Sequence, residues 1–257
     1  MLNKNKSFLA IIPARGGSKS IKNKNLYLIR EKPLIFYTIT SAINSKYLSD
    51  TVLSTDSKKI ANYVKKFPKI KIPFFRPKKL AGDKILTLPV LKYTLLKYEK
   101  LVKKKFDFVI LLQPTSPLRT SKDIDNSIKL LIKKKTDSLI SVTSVGAHHP
   151  LRMKKILKNN RLTNFVNQKT FDNMKPRQTL PKVFIRNGAI YIINRKLILK
   201  NRISSKKTIA FEMNEKRSIN IDDYKDIILL KDILKKKINF LYNLLKYEST
   251  NSPTKYF

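Results

Sequence analysis

The chain has 257 residues, 42% of them apolar, with no cysteine and only His148 and His149 for imidazole; this fits one large α/β domain and excludes disulfides, thiolate-bound metals and a histidine-rich zinc site. The formal charge of +39 rests on lysine, with only 11 arginines among 56 basic residues, scattered as KK and KKK runs. Nucleic-acid readers gather arginine and aromatic platforms on one face, so the charge reads as the codon bias of an AT-rich genome, and no specific nucleic-acid partner is expected.

Residues 1–7 are polar, without the core of a signal peptide, and no apolar run reaches the ~18 residues of a membrane span; a cytoplasmic protein is expected. Phe8–Ile12 is an apolar run of the buried parallel-strand kind. It empties at Pro13 into a loop holding Arg15, Gly16, Gly17, Ser18, Lys19, Lys22, Lys24 and Asn25. Paired glycines that turn backbone amides inward, with several cations around them, suit a polyphosphate. Neither familiar glycine-loop spacing is present. The bland alternative is a turn rich in lysine because the whole chain is.

Residues 33–45 show helical spacing, with Pro33 fit for a first turn. A strand is predicted over 51–55, a helix over 57–66, a third strand over 70–75, an amphipathic helix over 87–103 and an apolar strand over 106–112. Ser121 and Asp123 are candidates to cap the helix that follows Gln113–Arg119, and 138–145 reads as a further strand. Such alternation is the signature of a doubly wound, mostly parallel sheet of Rossmann-like type. Sites in these sheets lie beyond the carboxyl ends of the strands, where Arg15, Asp56, Arg76 and Gln113 all fall.

From 148 to 182 the rhythm breaks into a polar, proline-bearing segment that reads as an inserted arm packing on a second copy of the chain. Residues 183–193 resume strand-like sequence, 208–213 and 218–221 are expected as late strands, and a lysine-rich helix is expected from Asp222 to about Tyr247. The chain reads as a single domain over 1–248, with 148–182 as dimerisation arm and 249–257 a frayed tail.

Eight segments in order carry a further signal: IIPARGGSKSIKNKNL (11–26), LSTD (53–56), RPKKLAGD (76–83), LLQPTSPLR (111–119), HHPLR (148–152), PRQTLP (176–181), RNGAIYI (186–192) and INID (219–222). Together they resemble the acylneuraminate cytidylyltransferases, over nearly the whole chain from Phe8 to Leu234. The related Kdo cytidylyltransferases carry an aromatic and a proline-glycine pair in the opening loop that this chain lacks. The resemblance implies transfer of CMP from CTP to the anomeric hydroxyl of a nonulosonic acid, with Mg²⁺ as cofactor and a homodimer as the assembly. It implies nucleotide contacts at Arg15, Gly16, Ser18, Lys19, Lys24, Asn25, Arg76 and Thr87, with Arg15 and Lys19 catalytic. It places Gln113, Thr115, Ser116 and Tyr191 at the sugar acid, and lets Arg152 and Arg177 reach the neighbour's sugar carboxylate from the arm.

Two positions depart from the family pattern. Where it pairs two aspartates for Mg²⁺, this chain has Asn220 and Asp222. Mg²⁺ needs only one or two carboxylates when phosphates and water complete its shell, so a weaker metal site is expected. Lys22 stands where many relatives have proline. A non-catalytic nucleotide-binding relative and a basic nucleic-acid binder remain the rival readings. His148 and His149, in the arm, are expected to pack or hydrogen-bond rather than act as bases.

Overall fold

The structure is a computed structural model that describes residues 6–167 and 176–236. β1 (Phe8–Pro13) is the apolar run, and alternate side chains face opposite sides of the sheet it joins. Phe8, Ala10 and Ile12 pack with Ile35 and Ile39 of α1 (Leu34–Ile43), Ile60 of α2 (Lys58–Val64) and Ile124 and Ile128 of α4 (Ser121–Lys133). Leu9 and Ile11 pack on the other side with Leu91, Leu95 and Tyr98 of α3 (Thr87–Val102) and Ile198 of α5 (Arg195–Leu199). All five of these β1 residues are buried, as a strand covered on both faces requires.

Two short ribbons complete the β-structure: β2 (Leu28–Ile29) pairs with β3 (Lys32–Pro33), and β7 (Lys154–Ile156) with β8 (Leu162–Asn164), both antiparallel. The six-stranded sheet adds β4 (Asp50–Ser54), β5 (Phe108–Leu111), β6 (Ser138–Ser144), β9 (Phe184–Asn194) and β10 (Ile209–Glu212), in the order β10-β6-β9-β5-β1-β4. β1 pairs parallel with β4 and β5, and β10 with β6; β9 alone runs antiparallel, between β5 and β6. The sheet is therefore mixed but mostly parallel. The chain leaves β1 for one neighbour and returns for the other, so the strand order reverses at β1, and a crevice opens beyond its carboxyl end.

Local capping follows sequence. Thr120, not Ser121, is the N-cap of α4; its hydroxyl accepts from the Asp123 amide while the Asp123 carboxylate takes the Thr120 amide, a capping box. The expected strand over 70–75 reduces to one bridge, Val52 with Lys71, because Pro68 and Pro73 leave no run of amides to extend it. The expected strand over 218–221 is a loop, tied to the sheet region where Ile221 N–H donates to Thr115 O at 2.7 Å and Ser218 Oγ accepts from Asn187 Nδ2 at 3.0 Å. The following helix begins at residue 224 and is described to 236, so its expected end near Tyr247, and the tail beyond, lie outside the described residues.

Of the expected arm 148–182, residues 168–175 lie outside the described residues; the described part holds the β7–β8 ribbon and short 3-10 turns, with Ile156 and Phe165 exposed. His149 is buried within it. Its Nδ1 accepts from Leu151 N–H at 3.1 Å, which leaves Nε2 to donate to Pro181 O at 3.0 Å. That is a packing role, as expected from its place. No described helix is long and apolar enough to cross a membrane.

Candidate active site

The β1 register sets the site. Pro13 lies opposite Ser54 and Ile11 opposite Leu111, so the loops after β1, β4 and β5 emerge side by side. Ala14 N–H continues the ladder to Ser54 O at 2.9 Å. Gly16 N–H then donates to Asp56 Oδ1 at 2.9 Å, and a Cβ at Gly16 would stand 3.0 Å from Ser57 Cβ at the head of α2. Gly16 is thus needed for a close approach, and its amide already has an acceptor; Gly17 faces open space. Asn25 Nδ2 ties the far side of the loop back to Arg15 O at 3.0 Å.

A cleft of about 340 Å³ lies over this loop. Of the expected nucleotide residues it is lined by Arg15, Ser18, Lys24, Asn25, Arg76 and Thr87; of the expected acceptor residues by Gln113 and Thr115; and of the expected metal pair by both Asn220 and Asp222. Gly16 and Lys19 flank it rather than line it. Ser116, buried behind Thr115, directs its hydroxyl to Asn187 O at 3.4 Å. Tyr191 lies in the α3-side layer of the sheet, where burial raises its phenol above the usual range, and does not line the cleft. Arg152 sits on the 3-10 turn Pro150–Arg152 and does not line the cleft either. Arg177 begins another such turn, and its side chain lies outside the described residues.

The cations are held in distinct ways. Arg76 is buried, with Nε donating to Ser54 Oγ at 3.3 Å and Nη2 to Ser54 O; burial lowers its pKa, opposed by the charge of Asp56. Lys24 Nζ donates to Ile221 O at 2.9 Å and Asp222 O at 3.1 Å, and burial draws its ammonium below the usual lysine range against the pull of Asp222 and Asp226. Arg15 and Lys19 share a carboxylate that sequence reasoning had not assigned. Asp83 accepts from Arg15 Nη1 at 2.6 Å and Lys19 Nζ at 3.2 Å, and the Lys19 bond leads the effects that keep its carboxyl below the usual range. An internal anion thus bridges two of the loop's cations. The motif RPKKLAGD contains this aspartate, but nothing in its spacing says which cations it meets.

Two further groups were not legible as site residues. Arg119 is fully buried under the loop 113–119, with Nη1 donating to Gln113 O and Ala189 O at 3.2 and 2.8 Å and Nη2 to Thr38 Oγ1 at 2.8 Å. Burial pulls it down to about 9, so it stays protonated at neutral pH and fixes the loop that presents Gln113. Gly188 takes φ +73 where the β6–β9 register shifts, and a bulge there carries residues 187–190 toward Gln113. Asn187 pins the bulge: its Oδ1 accepts from Ser141 Oγ at 2.6 Å and its Nδ2 donates to Ser218 Oγ at 3.0 Å. An Asn-Gly pair inside a strand-like run was the available signal.

The family model described as cytidylyltransferase matches residues 9–244, more than nine-tenths of the chain. The chain belongs to the cytidylyltransferase family. Cytidylyltransferases named for nonulosonic acids are among its relatives. A CMP-N,N'-diacetyllegionaminic acid synthase of Campylobacter jejuni is 34% identical over 230 residues, covering 89% of this chain and 95% of that protein. A post-translational flagellin modification protein B of Campylobacter coli is 33% identical, with the same coverage. An N-acylneuraminate cytidylyltransferase of Escherichia coli is 31% identical over 89% of this chain and 52% of its own longer sequence. Among solved structures, a CMP:2-keto-3-deoxy-manno-octonic acid synthetase complexed with CTP superposes with a TM-score of 0.64 over 90% of this chain and all of that one. At 16% identity that likeness speaks for the shared nucleotidyltransferase fold. As a cytidylyltransferase, this chain places its cation-bearing loop where the fold opens its crevice.

Proposed function

We propose that this cytidylyltransferase transfers CMP from CTP to the anomeric hydroxyl of a nonulosonic acid and releases pyrophosphate. One observation carries the reading. The cations Arg15 and Lys24 of the first loop, the neutral hydrogen-bonding groups Gln113 and Thr115, and Asp222 all line the same cleft. A triphosphate rewards the first set and a polyhydroxylated acid the second. The names of the relatives support the class of acceptor and do not choose among sialic, legionaminic and pseudaminic acids.

In the proposed reaction the acceptor oxygen bonds to the α-phosphorus while the bond from that phosphorus to the bridging oxygen of pyrophosphate breaks, and the hydroxyl proton passes to water. Arg15 and Lys19 neutralise the triphosphate as its charge shifts to the leaving group, which requires Asp83 to give them up. Lys24, held by two backbone carbonyls, presents its remaining N–H from the other side. Buried Arg76 fixes the floor under the nucleotide through Ser54. Positioning and charge, rather than covalent participation of a side chain, make up the protein's contribution.

Mg²⁺ is the expected metal, and the residues present fit it. Asp222 offers an exposed carboxylate, a hard oxygen donor, which Asn220 Nδ2 steadies through Oδ2 at 2.6 Å. Asp222, with Asn220 beside it, would hold the ion, which when bound neutralises phosphate charge. We propose a homodimer as the assembly, on the exposed apolar side chains of the arm, Ile156 and Phe165 among them. The test of function is pyrophosphate release from a panel of nucleoside triphosphates against a panel of nonulosonic acids. CTP with at least one of the acids is expected to turn over; no release from CTP with any of them refutes the proposal.

A further inference from the structure

The missing side chain of Gly188 leaves a space ringed by three oxygens. A Cβ built there would stand 2.9 Å from Gln113 Oε1 and 3.5 Å from both Ser116 Oγ and Asn220 Oδ1. Asn220 arrives from the loop before the last described helix, two residues ahead of Asp222. Its Nδ2 donates to Asp222 Oδ2 at 2.6 Å. A carboxylate has no proton to give, so the NH₂ end of the amide must be the one that faces it. The carbonyl end then points the other way, to Gly188 and Gln113.

That carbonyl oxygen is buried and has no hydrogen-bond partner among the described residues. A buried acceptor left without a donor is costly, and in a binding site it marks where a ligand supplies one. No described neighbour supplies one as placed: Ser116 gives its proton to Asn187 O, and Lys24 directs two of its three N–H groups to Ile221 O and Asp222 O. What the ring offers is acceptors, and what it lacks is a donor. An ion held at Asp222 Oδ2 would meet the positive end of the Asn220 amide, which turns the free oxygen toward the acceptor side of the cleft.

We infer that Asn220 is a specificity-determining residue for the acceptor: its Oδ1 takes a hydrogen bond from a hydroxyl or acylamido N–H of the sugar acid, beside Gln113, while its Nδ2 steadies Asp222. The inference rests on the proposed transfer to a sugar acid. It gives the asparagine two jobs that a second aspartate could not combine, because a carboxylate at 220 has no N–H to offer Asp222.

Calorimetry of the sugar acid in EDTA tests the contact without turnover and without metal. Asn220→Ala should weaken the acid about five- to tenfold, as the loss of one buried hydrogen bond predicts. Asn220→Asp keeps an oxygen at the position and should weaken it less than about threefold. Melting temperature and the Kd of CTP should stay near wild type in both variants, which separates a lost contact from a damaged fold. Equal sugar-acid affinity for wild type and Asn220→Ala overturns the inference. So does a matching loss in both variants. Unchanged sugar-acid affinity with a shifted Mg²⁺ requirement assigns the oxygen to the metal instead. A wild type that binds the acid yet releases no pyrophosphate refutes the proposed function alone, and one that binds no acid refutes both.

Discussion

Gly188→Ala separates backbone strain from the acceptor pocket in one substitution. Holding alanine at φ +73 costs roughly 1–2 kcal/mol, and the stiffer unfolded chain adds back an opposing change of about 0.4–1 kcal/mol, but of unfavourable sign for the unfolded state. The net loss of stability is about 1 kcal/mol, or about 2–4 °C in Tm for a chain of this size. The new Cβ would also stand 2.9 Å from Gln113 Oε1. Because that atom is the end of a flexible side chain, the contact is relieved by swinging the amide aside rather than by moving the sheet. The swing removes a hydrogen-bonding group from the cleft, so kcat/KM for the sugar acid should fall about tenfold, equivalent to about 1.4 kcal/mol. The proposed CTP contacts lie in the first loop, away from Gly188, so the Kd of CTP should stay within about twofold of wild type. Thermal melts, calorimetry with CTP and initial rates against the acid decide it. A variant that melts lower but keeps wild-type kcat/KM for the acid would refute the placement of Gln113 in the acceptor pocket.

Arg15→Ala and Lys19→Ala should each raise the KM for CTP and cut kcat about tenfold or more with Tm nearly unchanged, since both side chains are partly or largely exposed; initial rates with near wild-type kcat/KM would contradict the triphosphate reading. Asp83→Asn should lower the Kd of CTP, because the internal anion on Arg15 and Lys19 is gone. The carboxyl of Asp83 is already held below its ordinary 3.8, so it stays ionised throughout the neutral range and its pairing is lost only as pH falls through that lowered value; the affinity ratio of variant to wild type should therefore be flat across neutral pH, and a ratio that varies there points to another group. Sedimentation at micromolar concentration should report two chains, and a fully active monomer would refute the arm as a shared interface.

The alternating framework was legible because each element carried its own period. β1 and β5 are apolar runs bounded by polar turns, and α1, α3 and α4 bury one face each, so their local signal and their final packing agree. Residues 70–75 and 218–221 look equally strand-like, yet pairing is a property of the partner edge, and prolines in one and the lack of a long ladder for the other left them as bridges and loop. The candidate site was legible in type but not in company. The cations of residues 15–24 announce an anion; that Asp83 bridges two of them, that Asp56 takes the Gly16 amide and that Asn220 turns its oxygen toward Gly188 depend on contacts across tens of positions. Arg119 was hidden for the same reason. A single arginine in PLR gives no hint that it will be fully buried against three carbonyl and hydroxyl groups from three elements.

Beside the cleft, Ile21 of the first loop, Ile29 of β2 and Leu34 of α1 share a small buried cluster with Ile221, Ile227 and Leu230. The two walls of the crevice are thus one piece of hydrophobic material, although they come from opposite ends of the sequence, and Lys24 ties the same walls together at the rim. Opening cannot proceed by the first loop swinging alone, because that would expose Ile21 and tear the lysine from its two carbonyls. Nucleotide entry must instead work through the Asp83 side, where the ties to Arg15 and Lys19 are exposed ion pairs rather than buried contacts. Engineering follows the same logic: a chain cut before Leu230 loses part of the floor under its own first loop, whereas new termini placed in the β7–β8 ribbon would leave both walls joined.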